Sequence, residues 1–222
     1  MMNRVLKLGI FALTLAGLTH AAESAAMVFA RIDAGAKSFK GMTADLTYTE
    51  HSALVNSDEV TKGVAKFLRP KPNSARALIT WNDGGGLEYN GKEGKLYNAK
   101  TKTVDVGNLS SRQSTVNQYL LLGFGATSED LKAAYNVTYV GEENVGGQPT
   151  WHLKLIPKVP DKTSSMKEAD LWYGPNGIVV QQKILAPSGD YKQMLFSNMK
   201  LGSMPDKELE LKLPKDVTVQ KH

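Results

Sequence analysis

The chain has 222 residues, 41% hydrophobic and 8% aromatic, with 27 basic against 22 acidic side chains and a formal net charge of +5. It contains no cysteine, which excludes disulfides, thiolate metal sites, a cysteine nucleophile and a lipid-modified cysteine at a mature N-terminus. The lysines are scattered (Lys62, Lys66, Lys95, Lys100, Lys102, Lys154, Lys158), so a nucleic-acid surface finds no support, and the length suits one domain with a sizeable core.

Arg4 and Lys7 precede an apolar run from Leu8 to Leu18, and small residues follow at Thr19 and Ala21. This is the plan of a secretory signal peptide, and the run is too short to cross ~30 Å of hydrocarbon comfortably. Cleavage after Ala21, with Ala22 as the alternative, would leave a leader 1–21 and a domain 22–222 exported to the periplasm. Loss of Arg4 and Lys7 leaves 25 basic against 22 acidic side chains, a net charge of about +3. Without a lipid of its own, such a mature chain would diffuse.

Ser24 to Phe39 reads as a helix, because Val28, Ile32, Ala36 and Phe39 recur at helical spacing with Phe29 beside them. After Gly41 the period changes to two. Met42, Ala44, Leu46 and Tyr48 alternate with polar residues as in a half-buried strand. His51 to Asp58 reads as a polar connection, and Val60 to Leu68 as a second strand ending at Arg69-Pro70. Ala75, Ala77, Ile79 and Trp81 alternate again before the turn Asp83–Gly86. Short strands follow at Leu87–Tyr89, Lys95–Tyr97 and Thr103–Val106, with Asn90-Gly91 as a hairpin signal. Ser114 to Gly123 then looks helical, with an apolar centre at Tyr119 to Leu122, and Thr127 caps another short helix through Tyr135. Strands resume at Asn136–Val140 and Pro149–Pro157, then around Ala169, Leu171 and Tyr173, at Ile178–Leu185 and at Tyr191–Leu201, before an extended tail from Glu208 to Val219. The order predicts a mainly β, α+β protein: a strongly curved antiparallel sheet, an incomplete barrel, with lid helices over its concave side.

The chemistry of an enzyme is missing from the sequence. After leader removal the histidines are His51, His152 and His222, none at metal-ligand spacing. His152 reads as a surface strand histidine beside Trp151. No nucleophile elbow is present, and Gly84-Gly85-Gly86 and Gly123-Phe124-Gly125 read as turns. Glu142 and Glu143 are neighbours whose side chains point apart, so they imply no acid/base pair. No enzymatic activity, metal or cofactor is expected. What stands out is the apolar inner face, and composition alone fits both a plain core and a cavity for an apolar ligand.

Five phrases then carry a resemblance. Phe39-Lys40-Gly41-Met42-Thr43-Ala44-Asp45-Leu46-Thr47-Tyr48-Thr49, Gly63 to Pro70, Asn90 to Asn98, Trp151 to Lys158 and Leu213 to Val219 run in the order found in outer-membrane lipoprotein carriers of the LolA family. Departures fall at Tyr48-Thr49, where glutamine is common, at Ala99 in place of proline and at Asp216 in place of glycine. The resemblance implies an incomplete barrel whose hydrophobic cavity takes the acyl chains of lipoproteins and moves them from the inner to the outer membrane. It implies an inner-membrane ABC transporter and an outer-membrane receptor as partners, and a monomer that binds no nucleic acid. The strand-end arginine, here Arg69, would close the lid, its five donors tying carbonyls of the helices together.

Alternation with Arg69 assigns the cavity face to Leu46, Tyr48, Phe67, Ile79, Trp81, Trp151, Leu153, Leu155, Leu171 and Tyr173. The lid would present Val28, Phe29 and Ile32 from the first helix and Tyr119, Leu120 and Leu122 from the second. Two alternatives share the fold: a carrier of another envelope lipid, such as a glycolipid or hopanoid, and a lipid- or lipoprotein-sensing regulator, a type that usually carries a second domain.

Overall fold

In the computed structural model, residues 16–71, 74–108, 122–159 and 166–221 are described. Helix α1 (Ala16–Ser38) leads into β1 (Gly41–Ser52), β2 (Ser57–Lys71) and β3 (Ser74–Trp81). Then come β4 (Gly86–Tyr89), β5 (Glu93–Asn98) and β6 (Thr103–Asn108). A short helix, α2 (Ser128–Ala134), runs directly into β7 (Tyr135–Val145), followed by β8 (Gln148–Pro157) and β9 (Glu168–Tyr173). The chain continues through β10 (Val179–Leu185), β11 (Tyr191–Leu201), a 3-10 turn (Asp206–Leu209) and β12 (Thr218–Lys221).

All twelve strands join one sheet in the order β12-β6-β5-β4-β3-β2-β1-β11-β10-β9-β8-β7. The sheet stays open, with β7 and β12 at its edges, which is the incomplete barrel expected from the sequence. Every pairing is antiparallel except β12 with β6. The strand β1 sits mid-sheet and takes β2 on one side and β11 on the other. Sequential strands are therefore neighbours except at two long returns, from β6 to β7 and from β11 to β12.

The period-two pattern explains the core. Met42, Ala44 and Leu46 are buried while Asp45 is exposed, and Leu153 and Leu155 are fully buried on the face opposite Lys154. These inward residues form one cluster with Val28 and Ile32 of α1. The outer face has its own small cluster, where Leu209 packs on Leu68 and Leu78. The segment around the 3-10 turn is strapped there by Arg76 to Asp206 at 2.7 Å and by the Leu211 amide donating to Glu88 at 2.7 Å.

Some boundaries differ from the sequence reading. Half of the connection expected at His51–Asp58 is strand, since β1 runs to Ser52 and β2 starts at Ser57; cross-strand pairing continues past the polar residues, whose side chains face water. β7 runs well past Val140, carried over Gly141 by a register shift. The tail is not uniformly extended, because the 3-10 turn interrupts it. The helix expected at Ser114–Gly123 lies outside the described residues except at its end, where Leu122 and Gly123 stand in a turn. Residues 1–15 of the expected leader lie outside them as well.

Candidate functional site

The inner face is built by register. Phe67 stands opposite Met42 on β1 and Ala77 on β3, and Ile79 opposite Ala65 on β2. Leu46 stands opposite Phe196 on β11. On the far side of the sheet, Trp151 faces Tyr173 and Leu153 faces Leu171 across the β8–β9 pair, with Leu155 opposite Ala169. Leu46, Phe67, Ile79, Trp151, Leu153, Leu155, Leu171 and Tyr173 are all buried in one cluster. Tyr48 and Trp81 are partly buried against it and stack on each other at 5.4 Å. Burial, with Glu50 nearby, pushes the Tyr48 hydroxyl well above the usual tyrosine range.

Three pieces of chain cover this face. The first is α1, whose Val28 and Ile32 are buried in the cluster with Phe29 partly so. Its Gly35 rests on the β9–β10 turn so closely that a Cβ there would come 2.5 Å from the Gly177 carbonyl oxygen. The second is the turn Leu122–Ala126, which puts Phe124 into the cluster. Its ring stacks on Phe67 at 4.8 Å and meets Phe196 edge-on at 5.2 Å, with Phe39 at 5.9 Å. The third is α2, started by a capping box in which Thr127 and Asp130 bond each other's backbone. Hydrogen bonds from Thr127, with Arg69 nearby, hold the Asp130 carboxyl below its usual range.

Side chains tie the cover together. Asp33 of α1 accepts from the Ser128 amide at 2.7 Å and from its hydroxyl at 2.9 Å, so a carboxylate sits at the positive end of α2. Lys132 of α2 lies 3.7 Å above the ring of Phe29. Arg69 sits at the rim, its backbone amide bonded to the Lys40 carbonyl at 2.9 Å. Its side chain lies against Gly125, where a Cβ would collide with Nη1 and meet Cδ at 3.0 Å. Gly125 adopts φ +70°, so the contact and the left-handed backbone both call for glycine.

The sequence-predicted residues therefore separate cleanly by placement. The ten assigned to the cavity face lie together, Val28, Phe29, Ile32 and Leu122 lie in the cover, and Arg69 touches the cover's turn. Tyr119 and Leu120 lie outside the described residues. Sequence reasoning missed Phe124, Asp33 and Ser128. For Phe124 a signal was present, because a lone aromatic between two glycines marks a side chain held by a special backbone; Gly123 and Gly125 both have positive φ. For Asp33 and Ser128, 95 residues apart, no local signal exists.

His152 differs from the surface histidine expected. It points outward, yet it is only 9% exposed. Nδ1 lies 2.7 Å from Glu143 and Nε2 2.7 Å from Asp170, the ring stacks on Trp172 at 4.4 Å, and the Trp172 indole donates to Glu143 at 2.7 Å. Burial opposes the charged ring, but the hydrogen bonds to Asp170 and Glu143 outweigh it and raise its pKa. Bonds from Trp172 and His152 hold Glu143 below the usual range. The cluster pins the edge strand β7 to β8 and β9. Among the described residues no group of three His, Cys, Asp or Glu could hold a metal. A cleft of about 420 Å³, lined by residues such as Glu50, His51, Ile184 and Asp190, lies at the other end of β1 from Arg69.

An open, curved sheet with an apolar concave side under a cover of helix and turn is the architecture of an incomplete barrel. Residues 37–209 match the family model of the outer membrane lipoprotein carrier protein LolA, and the chain belongs to that family. Members of the family bind lipids or lipoproteins and are binding proteins or chaperones, working outside the cytoplasm. No described helix is long and apolar enough to cross a membrane.

Among solved structures, the chain is similar to an uncharacterised conserved protein from Thermus thermophilus (TM-score 0.51, 13% identity, 90% of this chain and 99% of that one). It is also similar to MucB (TM-score 0.50, 14% identity, 85% of this chain), of which it spans 62%. The lipoprotein LppX of Mycobacterium tuberculosis matches at TM-score 0.44 and 17% identity, over 78% of this chain and 95% of that one. No curated protein matches the sequence.

Proposed function

We propose that this protein is a diffusible periplasmic carrier. It would take the acyl chains of lipoproteins into the space between sheet and cover and move them from the inner to the outer membrane. The observation that carries the reading is the seating of the cover. Phe124, an apolar side chain on a glycine-flanked turn, occupies the inner face against Phe67 and Phe196, and Arg69 at the rim braces that turn. An acyl chain entering there replaces one apolar occupant by another, at about 0.8 kcal/mol per buried CH₂. The cover can thus open at modest cost and close again on release.

In this reading the leader is removed after Ala21 or Ala22, leaving one domain, 22–222. Leu46, Tyr48, Phe67, Ile79, Trp81, Trp151, Leu153, Leu155, Leu171 and Tyr173 receive the chains. Arg69 closes the lid formed by α1, α2 and the turn Leu122–Ala126. An inner-membrane ABC transporter supplies the cargo and an outer-membrane receptor takes it.

The test is release of acylated lipoprotein from inner-membrane vesicles into solution, followed by transfer to outer-membrane vesicles. The wild type is expected to do both. Arg69→Leu is expected to fold normally and bind cargo, yet to transfer at least about tenfold less, because the brace on the turn is lost. Transfer by Arg69→Leu equal to wild type removes Arg69 from the mechanism, and absence of release by the wild type overturns the carrier reading.

A further inference from the structure

Among the described residues, the inner face holds a buried tyrosine hydroxyl with no partner. Tyr173 is 1% exposed, and its hydroxyl has no hydrogen-bond partner among the described residues. It points across the face toward the cover: a Cβ on Gly123 would meet the hydroxyl oxygen at 3.1 Å and Leu171 Cδ1 at 3.3 Å, with Val179 Cγ2 closer still. The hydroxyl thus lies against Gly123 of the cover, with the Leu171 and Val179 side chains meeting the same spot. Buried hydroxyls are paired in the great majority of proteins, because water's hydrogen bonds must be replaced. An orphan aimed into a covered apolar site marks the position of an acceptor that arrives with a ligand. Gln182 lies on the same face one diagonal step away, opposite Leu171, its amide donating to Met194 Sδ at 3.6 Å.

The chemistry of the acceptor follows from the surroundings. Among the described residues the buried charged side chains, Glu88, His152 and Asp170, all lie on the outer side of the sheet, and Arg31 is engaged with the ring of Trp151 at 4.2 Å. Arg31 lies over the neighbouring Trp151 ring, but burial alone acts on the Tyr173 hydroxyl itself, and a neutral carbonyl needs only the donor that is present there. Burial keeps the phenol protonated, so it remains a donor at any physiological pH.

Resting on the reading of this face as a lipid site, we propose that Tyr173 is a ligand-anchoring residue that donates a hydrogen bond to a neutral acyl carbonyl, so that the site selects ester- or amide-linked chains over bare hydrocarbon or ether-linked ones.

The experiment compares binding of dioleoylglycerol and of its di-oleyl ether counterpart to the wild type and to Tyr173→Phe, with thermal unfolding of both apo proteins. The wild type is expected to bind the ester about five- to tenfold tighter than the ether, the worth of one neutral hydrogen bond. Tyr173→Phe is expected to lose that preference, to keep its ether affinity, and to melt at the same temperature or higher, since an orphan hydroxyl has been removed. Equal binding of ester and ether by the wild type, or an unchanged preference in the variant, overturns the anchor while leaving the lipid site intact. A variant that melts several degrees lower shows that the hydroxyl is already partnered and overturns it too. Binding of neither lipid by the wild type overturns the lipid site, and the anchor with it.

Discussion

Strands β8 and β9 present two faces of opposite construction. Inward they carry Trp151, Leu153, Leu155, Leu171 and Tyr173, an apolar surface on which the Tyr173 hydroxyl has no partner among the described residues. Outward they carry His152, Asp170 and Trp172, bound to one another and to Glu143 of β7 with short, matched contacts. The outer cluster is complete in itself, each of these polar groups answered by another. The inner face is complete only in apolar terms and is closed by a cover that rests on it. A saturated network holds a fold together, whereas in the proposed function the covered apolar face is the place where a ligand binds.

This contrast can be broken most severely from the inside. Leu153→Asp buries an unpaired carboxylate in the cluster and is expected to abolish cooperative folding, as read by circular dichroism. The milder Leu153→Ala is expected to cost about 2–5 kcal/mol, a melting temperature lower by roughly 2–4 °C per kcal/mol. If the face binds lipid, added lipid recovers part of that loss by linkage; an unrecovered loss makes Leu153 plain core.

The outer network responds to protons instead. His152 has a raised pKa in the folded state, so its stabilisation is fully present below its ordinary value of 6.5 and is lost as pH rises through the higher folded value. Glu143 has a lowered pKa, so its contribution is present above 4.5 and is lost as pH falls through the lower folded value. The network is therefore strongest at about pH 5–6. His152→Gln is expected to cost about 1–3 kcal/mol there and to flatten the decline in melting temperature above pH 6.5. A decline as steep in the variant as in the wild type assigns it to other groups. Lipid is expected to leave this loss unchanged.

Gly125→Ala is the smallest change. It places a Cβ at φ +70° against Arg69 and is expected to cost roughly 1 kcal/mol. Because the strain falls on the cover, cargo transfer is expected to suffer more than stability, whereas equal losses would make the turn an ordinary structural glycine.

The inner face was legible because period two survives any error in strand ends. Leu46, Phe67, Ile79, Leu153 and Leu171 keep their side however far the strands extend, so the hairpin at Ala53–Asn56 could be misjudged without harm. His152 was misjudged for the complementary reason. Alternation gives the direction of a side chain but not what lies on that side, and its partners Glu143 and Asp170 come from β7 and β9. Glu142 and Glu143 do point apart, as expected of neighbours: Glu142 accepts from the Trp151 indole at 3.1 Å while Glu143 reaches His152. The joint between Asp33 and Ser128 was invisible because it depends on the long return that brings α2 beside α1.

The central claim is that the covered inner face holds acyl chains. The most direct test is native mass spectrometry of the protein purified from the periplasm, with extraction and identification of whatever is released. The account predicts added mass that resolves on extraction into diacylglyceryl peptide or related ester-linked lipid, reduced in Leu153→Ala. An apo mass that stays unchanged when acylated lipoprotein or diacylglycerol is offered would contradict it, and would make the inner face the core of a protein whose ligand lies elsewhere.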